Sequence, residues 1–294
     1  MIASNNNIYS KPLKTTIGVK QGRALSPKLF SIYIEMLIKN VENTKAGLKI
    51  GNLTVDIILY ADDIIIMSNS RNGIQDQLNI IAKYGIENHI KYDPSKTVYM
   101  AFNSQISKAS KDRIIDSLTF PLTLDGETIT RVDAMRYLGD EINTRLDHKN
   151  QWSKIKKLAV SSIMRLQTIG LLTNQMHPYV KSQLYKSYVR PVLLYGIENH
   201  VLTKTFTNEI KRFEGNMVKR MMSIPTRCRT TSLFLALNVS LPEFNLIKLK
   251  SDFYIRVIEN KYTRDLMIEL SKLPLNHDFL SELLQLTSEV TDDG

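Results

Sequence analysis

Leu59-Tyr60-Ala61-Asp62-Asp63-Ile64-Ile65-Ile66 sets two adjacent carboxylates between two apolar, β-branched runs, Val55 to Leu59 and Ile64 to Met67. Such runs predict paired, buried strands with the acids at the hairpin tip. Strong β formers gain nothing in stability from a bare Asp pair, because an unpaired buried carboxylate is costly. Hard oxygen ligands on a rigid turn suit Mg²⁺, with Asp62 and Asp63 as the metal ligands, and paired metal ions serve phosphoryl transfer. A solvated turn is the alternative, since Asp is common in turns. Asp56 lies six residues before Asp62. That is about 20 Å along an extended strand, too far for it to share the metal.

The elements around this turn follow from pattern. Gly18-Val19-Lys20-Gln21-Gly22 is a Gly-punctuated loop able to approach a ligand closely. Ser26-Pro27 predicts a helix start with Ser as N-cap. Phe30, Tyr33, Leu37 and Val41, widened by Leu29 and Met36, form its apolar stripe, which ends near Asn43 to Gly47. Leu48-Lys49-Ile50 and Leu53-Thr54-Val55 flank a Gly51-Asn52 hairpin turn, and the second strand runs on into the acid turn. Ile74, Leu78, Ile81 and Tyr84 mark a second helix, capped by Ser68, Asn69 or Ser70 and closed near Gly85. The stretch His89 to Thr97, containing Lys96, is a turn leading into a strand from Val98 to Phe102. A hairpin forms around Asp125-Gly126, and Arg136-Tyr137-Leu138-Gly139 ends the strand-rich part.

From residue 149 the period becomes helical. Trp152, Ile155, Leu158, Ala159, Ile163 and Leu166 give one helix. Met176, Val180, Leu184 and Tyr188 give another, stopped before Pro191. Ile210, Phe213, Met217, Met221 and Ile224 give a third, and Leu246, Leu249, Phe253 and Val257 a fourth. Lys156, Lys157, Arg165, Lys186, Lys211, Arg212, Lys219 and Arg220 fall on the off-core faces of these helices.

Composition limits the function classes. The chain has 294 residues, 43% of them hydrophobic, enough for two modest domains with real cores. The single Cys228 excludes a disulfide framework and a cysteine-based metal cluster, and the five His residues show no ligand spacing. The Asn-rich start is unlike a signal or transit peptide, and no apolar run approaches a membrane span. These features predict an intracellular protein, nuclear or cytoplasmic. The net charge of +10 is uneven: residues 149–264 carry 20 basic and 6 acidic side chains, residues 265–294 only 1 and 7. A positive middle with an acidic tail predicts a polyanion partner, with nucleic acid favoured.

The order of these motifs resembles a reverse transcriptase palm, and most nearly the polymerases of non-LTR (LINE-type) retrotransposons. Gly18 to Gly22 with Leu25-Ser26-Pro27 and Leu29-Phe30 is similar to their fourth conserved block. Tyr60-Ala61-Asp62-Asp63 is similar to the fifth, Lys96-Thr97 to the sixth and Tyr137-Leu138-Gly139 to the seventh. Arg190-Pro191-Val192-Leu193-Leu194-Tyr195-Gly196 resembles the thumb segment that follows. Asp93 stands where the family usually has Asn, and His200 where it often has Trp.

The resemblance implies an α+β fold, a partial palm followed by an all-α thumb. Its parts would be 1–104 (palm motifs), 105–148 (hairpin and primer-grip-like connection), 149–264 (basic helical thumb) and 265–294 (acidic tail). It implies RNA-directed DNA synthesis on an RNA template and DNA primer, with Mg²⁺ as cofactor. Asp62, Asp63 and Lys96 would be catalytic, the first two holding metal and Lys96 serving the leaving phosphate. Gln21, Gly22, Tyr60, Tyr137, Leu138 and Gly139 would contact the nascent pair or primer. Lys156, Lys157, Lys211, Arg212, Lys219 and Arg220 would grip the duplex phosphates. The family's upstream palm Asp has no counterpart here, since no acid precedes Glu35. The expectation is therefore an amino-terminally truncated polymerase, inactive alone and prone to associate through an incomplete palm sheet. A non-catalytic nucleic-acid-binding remnant is the alternative.

Overall fold

A computed structural model describes residues 22–102, 121–273 and 279–284, together with residues 4–5, 8–9, 11 and 18. The chain divides into two compact units. The first comprises Met1–Lys49, Thr54–Tyr99 and Asn103–Arg131, the second Ile50–Leu53, Met100–Phe102 and Val132–Gly294.

In the first unit, β1 (Ser4–Asn5) pairs antiparallel with β2 (Ile8–Tyr9). Helix α1 (Ser26–Glu42) follows, with Pro27 in its first turn, where the missing N–H costs nothing. Ser26 is the first helical residue; Leu25 takes the cap position, so the expected Ser N-cap is displaced by one. The buried stripe is Ile34, Leu37 and Val41, with Phe30 packed beside it. Tyr33, Leu29 and Met36, expected in that stripe, are 45%, 53% and 54% exposed. The phase is set by Ile34, one residue round the helix, and the Tyr33 hydroxyl reaches out to donate to the Asn88 carbonyl.

Strands β3 (Leu48–Ile50) and β4 (Leu53–Val55) form the predicted hairpin. Asp56 then breaks the run that was expected to continue into the acid turn. Its carboxylate is buried against Gly47, where a Cβ would lie 2.4 Å from Asp56 Oδ1; glycine is what admits it. Strands β5 (Ile57–Tyr60) and β6 (Asp63–Ile66) pair next, with Met67 N–H donating to the Asp56 carbonyl at 2.9 Å to close the open end.

Helix α2 (Arg71–Glu87) starts at Ser70, whose side chain accepts from Gly73 N–H at 3.1 Å. It buries Leu78, Ile81 and Tyr84 against α1, and the Tyr84 hydroxyl donates to the Tyr33 carbonyl at 2.6 Å. Strand β7 is only Val98–Tyr99, shorter than expected. Strands β8 (Thr123–Leu124) and β9 (Glu127–Thr128) make the predicted hairpin over Asp125-Gly126, both left-handed at φ +51° and +82°. That is the type I′ geometry that favours Asp-Gly. Gln75 substitutes for a neighbouring strand: its amide donates to the Thr123 carbonyl at 2.9 Å and accepts from Thr123 N–H at 3.0 Å. Strand β10 (Thr130–Arg131) pairs parallel with β7. The core of this unit is Ile34, Leu37, Val41, Leu78, Ile81, Tyr84, Leu122, Leu124 and Ile129.

The second unit opens with β11 (Ala134–Tyr137) and β12 (Asp140–Asn143), so the strand-rich part continues beyond Gly139. Helix α3 (Lys149–Thr168) buries Trp152, Ile155, Ala159, Ile163 and Leu166 as expected, while Leu158 is 56% exposed. The next helix is α4 (Pro178–Leu184), a π turn (Tyr185–Val189) and α5 (Arg190–Leu194) in one run. It was expected to stop before Pro191. The π turn resets the bonding by an i→i+5 step from Arg190 N–H to the Tyr185 carbonyl, and Pro191 then falls in a first turn. Its buried side chains include Ser182, Tyr185, Val189 and Leu193, whereas Val180 and Tyr188 of the expected stripe are 44% and 59% exposed.

A short 3₁₀ turn (Ile197–Asn199) leads to α6 (Lys204–Met221), α7 (Thr230–Ala236), α8 (Pro242–Glu259) and α9 (Lys261–Ser271). Residues 279–284 are also helical. A buried ion pair ties them to α8: Lys250 Nζ is 2.7 Å from Glu282 Oε2 and donates to the Glu198 carbonyl at 3.0 Å. The pattern of apolar residues signalled α6 and α8 but not α7 or α9. The core of this unit is continuous from Trp152 through Tyr185, Ile210 and Phe234 to Leu246. Among the described residues no helix is long and apolar enough to cross a membrane.

Candidate functional site

The acid turn is built from the pairs Ile57↔Ile66, Ile58↔Ile65, Leu59↔Ile64 and Tyr60↔Asp63. Ile57, Leu59, Ile64 and Ile66 pack on the first unit's core, so one face of the hairpin is anchored. The strands are half-buried rather than buried as expected, with Ile58 44% exposed. Ala61 and Asp62 form the two-residue loop, and Ala61 is held at φ +55°, a conformation that costs a residue with a Cβ about 1 kcal/mol or more. Asp62, Asp63 and Tyr60 are all exposed, Tyr60 at 63%. The structure thus offers two hard carboxylates to solvent on an anchored, short loop. That donor chemistry fits Mg²⁺, which takes one or two protein carboxylates and keeps several waters. Among the described residues, no group of three His, Cys, Asp or Glu side chains converges to complete a metal site.

Lys96 lies on a separate turn of the same unit. The Asp93 carbonyl accepts from Lys96 N–H at 3.1 Å and Thr97 N–H at 3.2 Å, and Asp93 Oδ1 from Ser95 N–H at 3.0 Å and Ser95 Oγ at 2.6 Å. The Ser95 hydroxyl is the main reason the Asp93 carboxyl lies below its ordinary range. What position 93 supplies is an acceptor oxygen that organises the turn, which Asp provides as Asn would. The Lys96 side chain is 84% exposed and its Nζ is 3.6 Å from Asp93 Oδ2, a weak surface pair that leaves the ammonium available. Gly22 sits at φ +77° with open space where a Cβ would go. Gln21 lies outside the described residues.

In the second unit, Tyr137, Leu138 and Gly139 form the tip of the β11–β12 hairpin, with Leu138 and Gly139 left-handed at φ +49° and +89°. The Tyr195 hydroxyl donates to the Leu138 carbonyl at 2.7 Å. Beside it, Asp140 Oδ2 accepts from Asn199 Nδ2 at 3.3 Å and its Oδ1 is 3.7 Å from His200 Nε2. Burial works against ionisation of Asp140, but the nearby His200 imidazole and the hydrogen bond from Asn199 outweigh it and hold the carboxyl below its ordinary range. Tyr195 was noticed only as part of the Arg190–Gly196 segment, and neither Asn199 nor Asp140 stood out by type or spacing as a site residue.

The basic side chains divide by environment. Lys157, Arg212 and Arg220 are exposed. Lys156 pairs with Glu209 at 3.0 Å and lies over the Trp152 ring at 5.5 Å, and Lys211 pairs with Glu243 at 2.8 Å. Lys219 was expected on the off-core face, but it is 5% exposed and Nζ donates to the Thr226 carbonyl at 2.8 Å, tying the loop after α6 to that helix. It is therefore not a surface cation. Lys181, Arg190 and Lys250 are buried as well, so part of the positive excess is structural.

A family model, reverse transcriptase (RNA-dependent DNA polymerase), matches residues 1–142. The chain carries a reverse transcriptase domain. That domain contains the Asp62-Asp63 turn, the Lys96 turn and the Tyr137–Gly139 tip. The RNA-directed DNA polymerases from mobile element jockey of Drosophila melanogaster and Drosophila funebris are 21% and 22% identical over 74% of this chain and 23% of their own length. A retrovirus-related Pol polyprotein from the type-1 retrotransposable element R2 of Popillia japonica is 25% identical over 72% of this chain and 29% of its own. These relatives are non-LTR retrotransposon polymerases. The likeness extends past the reverse transcriptase domain into the helical unit, and the chain spans about a quarter of the length of the curated relatives it matches.

Proposed function

We propose that the chain serves template-directed nucleotidyl transfer, the RNA-directed synthesis of DNA. The reverse transcriptase domain would act as part of a polymerase palm, and the helical unit as the thumb that holds an RNA–DNA duplex. The observation that carries this reading is the exposed Asp62-Asp63 pair on an anchored two-residue turn inside the reverse transcriptase match.

In this reaction a primer 3′-hydroxyl attacks the α-phosphate of the incoming nucleotide and pyrophosphate leaves. Asp62, with Asp63 beside it, would hold Mg²⁺, which supplies charge neutralisation at the phosphates and lowers the pKa of the attacking hydroxyl. Tyr60 would pack against the primer end. Lys96, exposed and only weakly paired, would donate to the departing pyrophosphate. Gly22 would leave room for the nascent base pair, and Tyr137, Leu138 and Gly139 would hold the primer strand. Lys157, Arg212 and Arg220, with Lys156 and Lys211 once released from their acid partners, would contact the duplex backbone.

Two adjacent carboxylates on one turn do not by themselves clamp a pair of octahedral cations. The chain alone is therefore expected to bind duplex without extending it, and a purely nucleic-acid-binding role is the second reading. Primer extension on an RNA template, with Mg²⁺ and all four deoxynucleotides, tests this. We expect no product from the purified chain. A template-dependent product abolished by Asp62→Ala would show that the site is complete.

A further inference from the structure

The Leu138-Gly139 turn is unusual for its type, and a second turn in the same molecule shows why. Asp125-Gly126 adopts the same doubly left-handed geometry with residues that favour it. Leu138 adopts it with a branched apolar side chain, against the preference of any residue bearing a Cβ. The turn therefore needs an external tie, and the segment from Tyr195 to His200 supplies several.

The Tyr195 hydroxyl holds the Leu138 carbonyl at 2.7 Å. Its ring lies over Gly139, where a Cβ would meet Tyr195 Cε1 at 3.2 Å. Asn199 and His200 reach the Asp140 carboxylate next to it, and Gln151 Nε2 donates to the Gly139 carbonyl at 3.5 Å. Gly196, at φ +73°, turns the chain so that Tyr195 and Asn199 face the same hairpin tip.

We infer that residues 195–200 are a latch that holds the Leu138-Gly139 turn in its left-handed form so that Leu138 is presented to the primer strand. Tyr195 is then a positioning residue, acting through the Leu138 carbonyl. The primer-holding part of this inference rests on the function proposed above; the latch itself rests on geometry alone.

The test uses the full chain, the Tyr195→Phe variant and the Tyr195→Phe/Leu138→Asn double variant. Hydrogen exchange is followed across residues 134–143, and a photoreactive 3′-terminal nucleotide on the primer of an RNA–DNA duplex reports proximity to residues 137–139. Losing one partly exposed hydrogen bond is expected to speed exchange about threefold in Tyr195→Phe. Asn-Gly favours this turn unaided, so Leu138→Asn should restore protection in the double variant. Crosslinking to residues 137–139 should fall severalfold in Tyr195→Phe, while overall duplex affinity, carried by the basic helices, stays within about twofold. Unchanged exchange in Tyr195→Phe, or no recovery on adding Leu138→Asn, would overturn the latch. Exchange behaving as expected while the wild-type primer end never crosslinks to residues 137–139 would overturn the primer-holding role and leave the latch standing.

Discussion

Arg190 Nε donates to Glu214 Oε1 at 2.9 Å, with the two side chains 9% and 0% exposed. The guanidinium also donates to Ser240 Oγ at 2.9 Å and to the Ser240 carbonyl at 2.5 Å, and the Tyr185 hydroxyl to the same Glu214 oxygen at 2.6 Å. One network around the buried Arg190–Glu214 pair thus joins the π-turn helix, α6 and the loop leading into α8. The first residue of the Arg190–Gly196 motif is a structural anchor. Its tyrosine faces the hairpin tip.

Breaking that network from one side should be costly. Glu214→Ala leaves a buried guanidinium uncompensated and is expected to lose about 3–5 kcal/mol in denaturant unfolding. Replacing both partners with apolar residues, Arg190→Met with Glu214→Leu, should cost much less. Equal losses for the single and double variants would count against the network.

Salt dependence of duplex binding should sort the cations by exposure. Neutralising Lys157, Arg212 or Arg220 is expected to reduce the slope of log K against log salt by up to about 0.9 for each phosphate left without its cation. Lys219→Met should lower stability and leave the slope unaltered, because that ammonium is committed to the Thr226 carbonyl. Filter binding or anisotropy between low and high salt measures both.

Acid should loosen the second unit in a defined window. His148 stacks on Phe206 at 3.9 Å, and burial, helped by His200, depresses its pKa below the ordinary 6.5. Asp147 and Glu209 oppose the shift without cancelling it. The unfolded chain takes up this proton first, so the contribution is complete above 6.5 and lost as pH falls through the folded value. Asp140, also depressed, adds a further loss only below its ordinary 3.8. Thermal midpoints measured from about pH 8 down to about pH 4 should decline once His148 begins to titrate in the unfolded chain, and His148→Phe should flatten that first decline.

Association is expected through α1. Leu25, Leu29, Ile32 and Met36 are 71%, 53%, 59% and 54% exposed at helical spacing, on a helix whose other face is already core. A helix apolar on both faces is normally covered on both. Sedimentation should find concentration-dependent self-association or aggregation that Leu29→Lys with Met36→Glu suppresses. A wild-type monomer at all concentrations would count against this.

Local chemistry made much of this fold legible. Ser70 could be read as one of three caps because its hydroxyl satisfies a free helix N–H, and Asp125-Gly126 because few residues accept a doubly left-handed turn. The acid turn stood out because two carboxylates between β-branched runs demand an explanation. What failed depended on tertiary packing or on backbone rearrangements that residue periodicity does not reveal. Tyr33 and Ile34 are adjacent apolar residues, and only the position of α2 decides which is buried. Pro191 reads as a helix stop until a π turn moves it into a first turn. Lys219 reads as surface until the Thr226 carbonyl is folded back over it. Tyr195 carries no local sign that its hydroxyl is committed to Leu138, 57 residues away.

The most direct test of the proposed function is whether the Asp62-Asp63 turn binds a divalent cation. Mn²⁺ titrated into the chain with an RNA–DNA duplex, followed by NMR line broadening, reports the location of the ion. Broadening should centre on Tyr60 to Ile64 and be lost in Asp62→Ala. Broadening elsewhere only, or broadening at the turn that survives Asp62→Ala unchanged, would contradict the proposal.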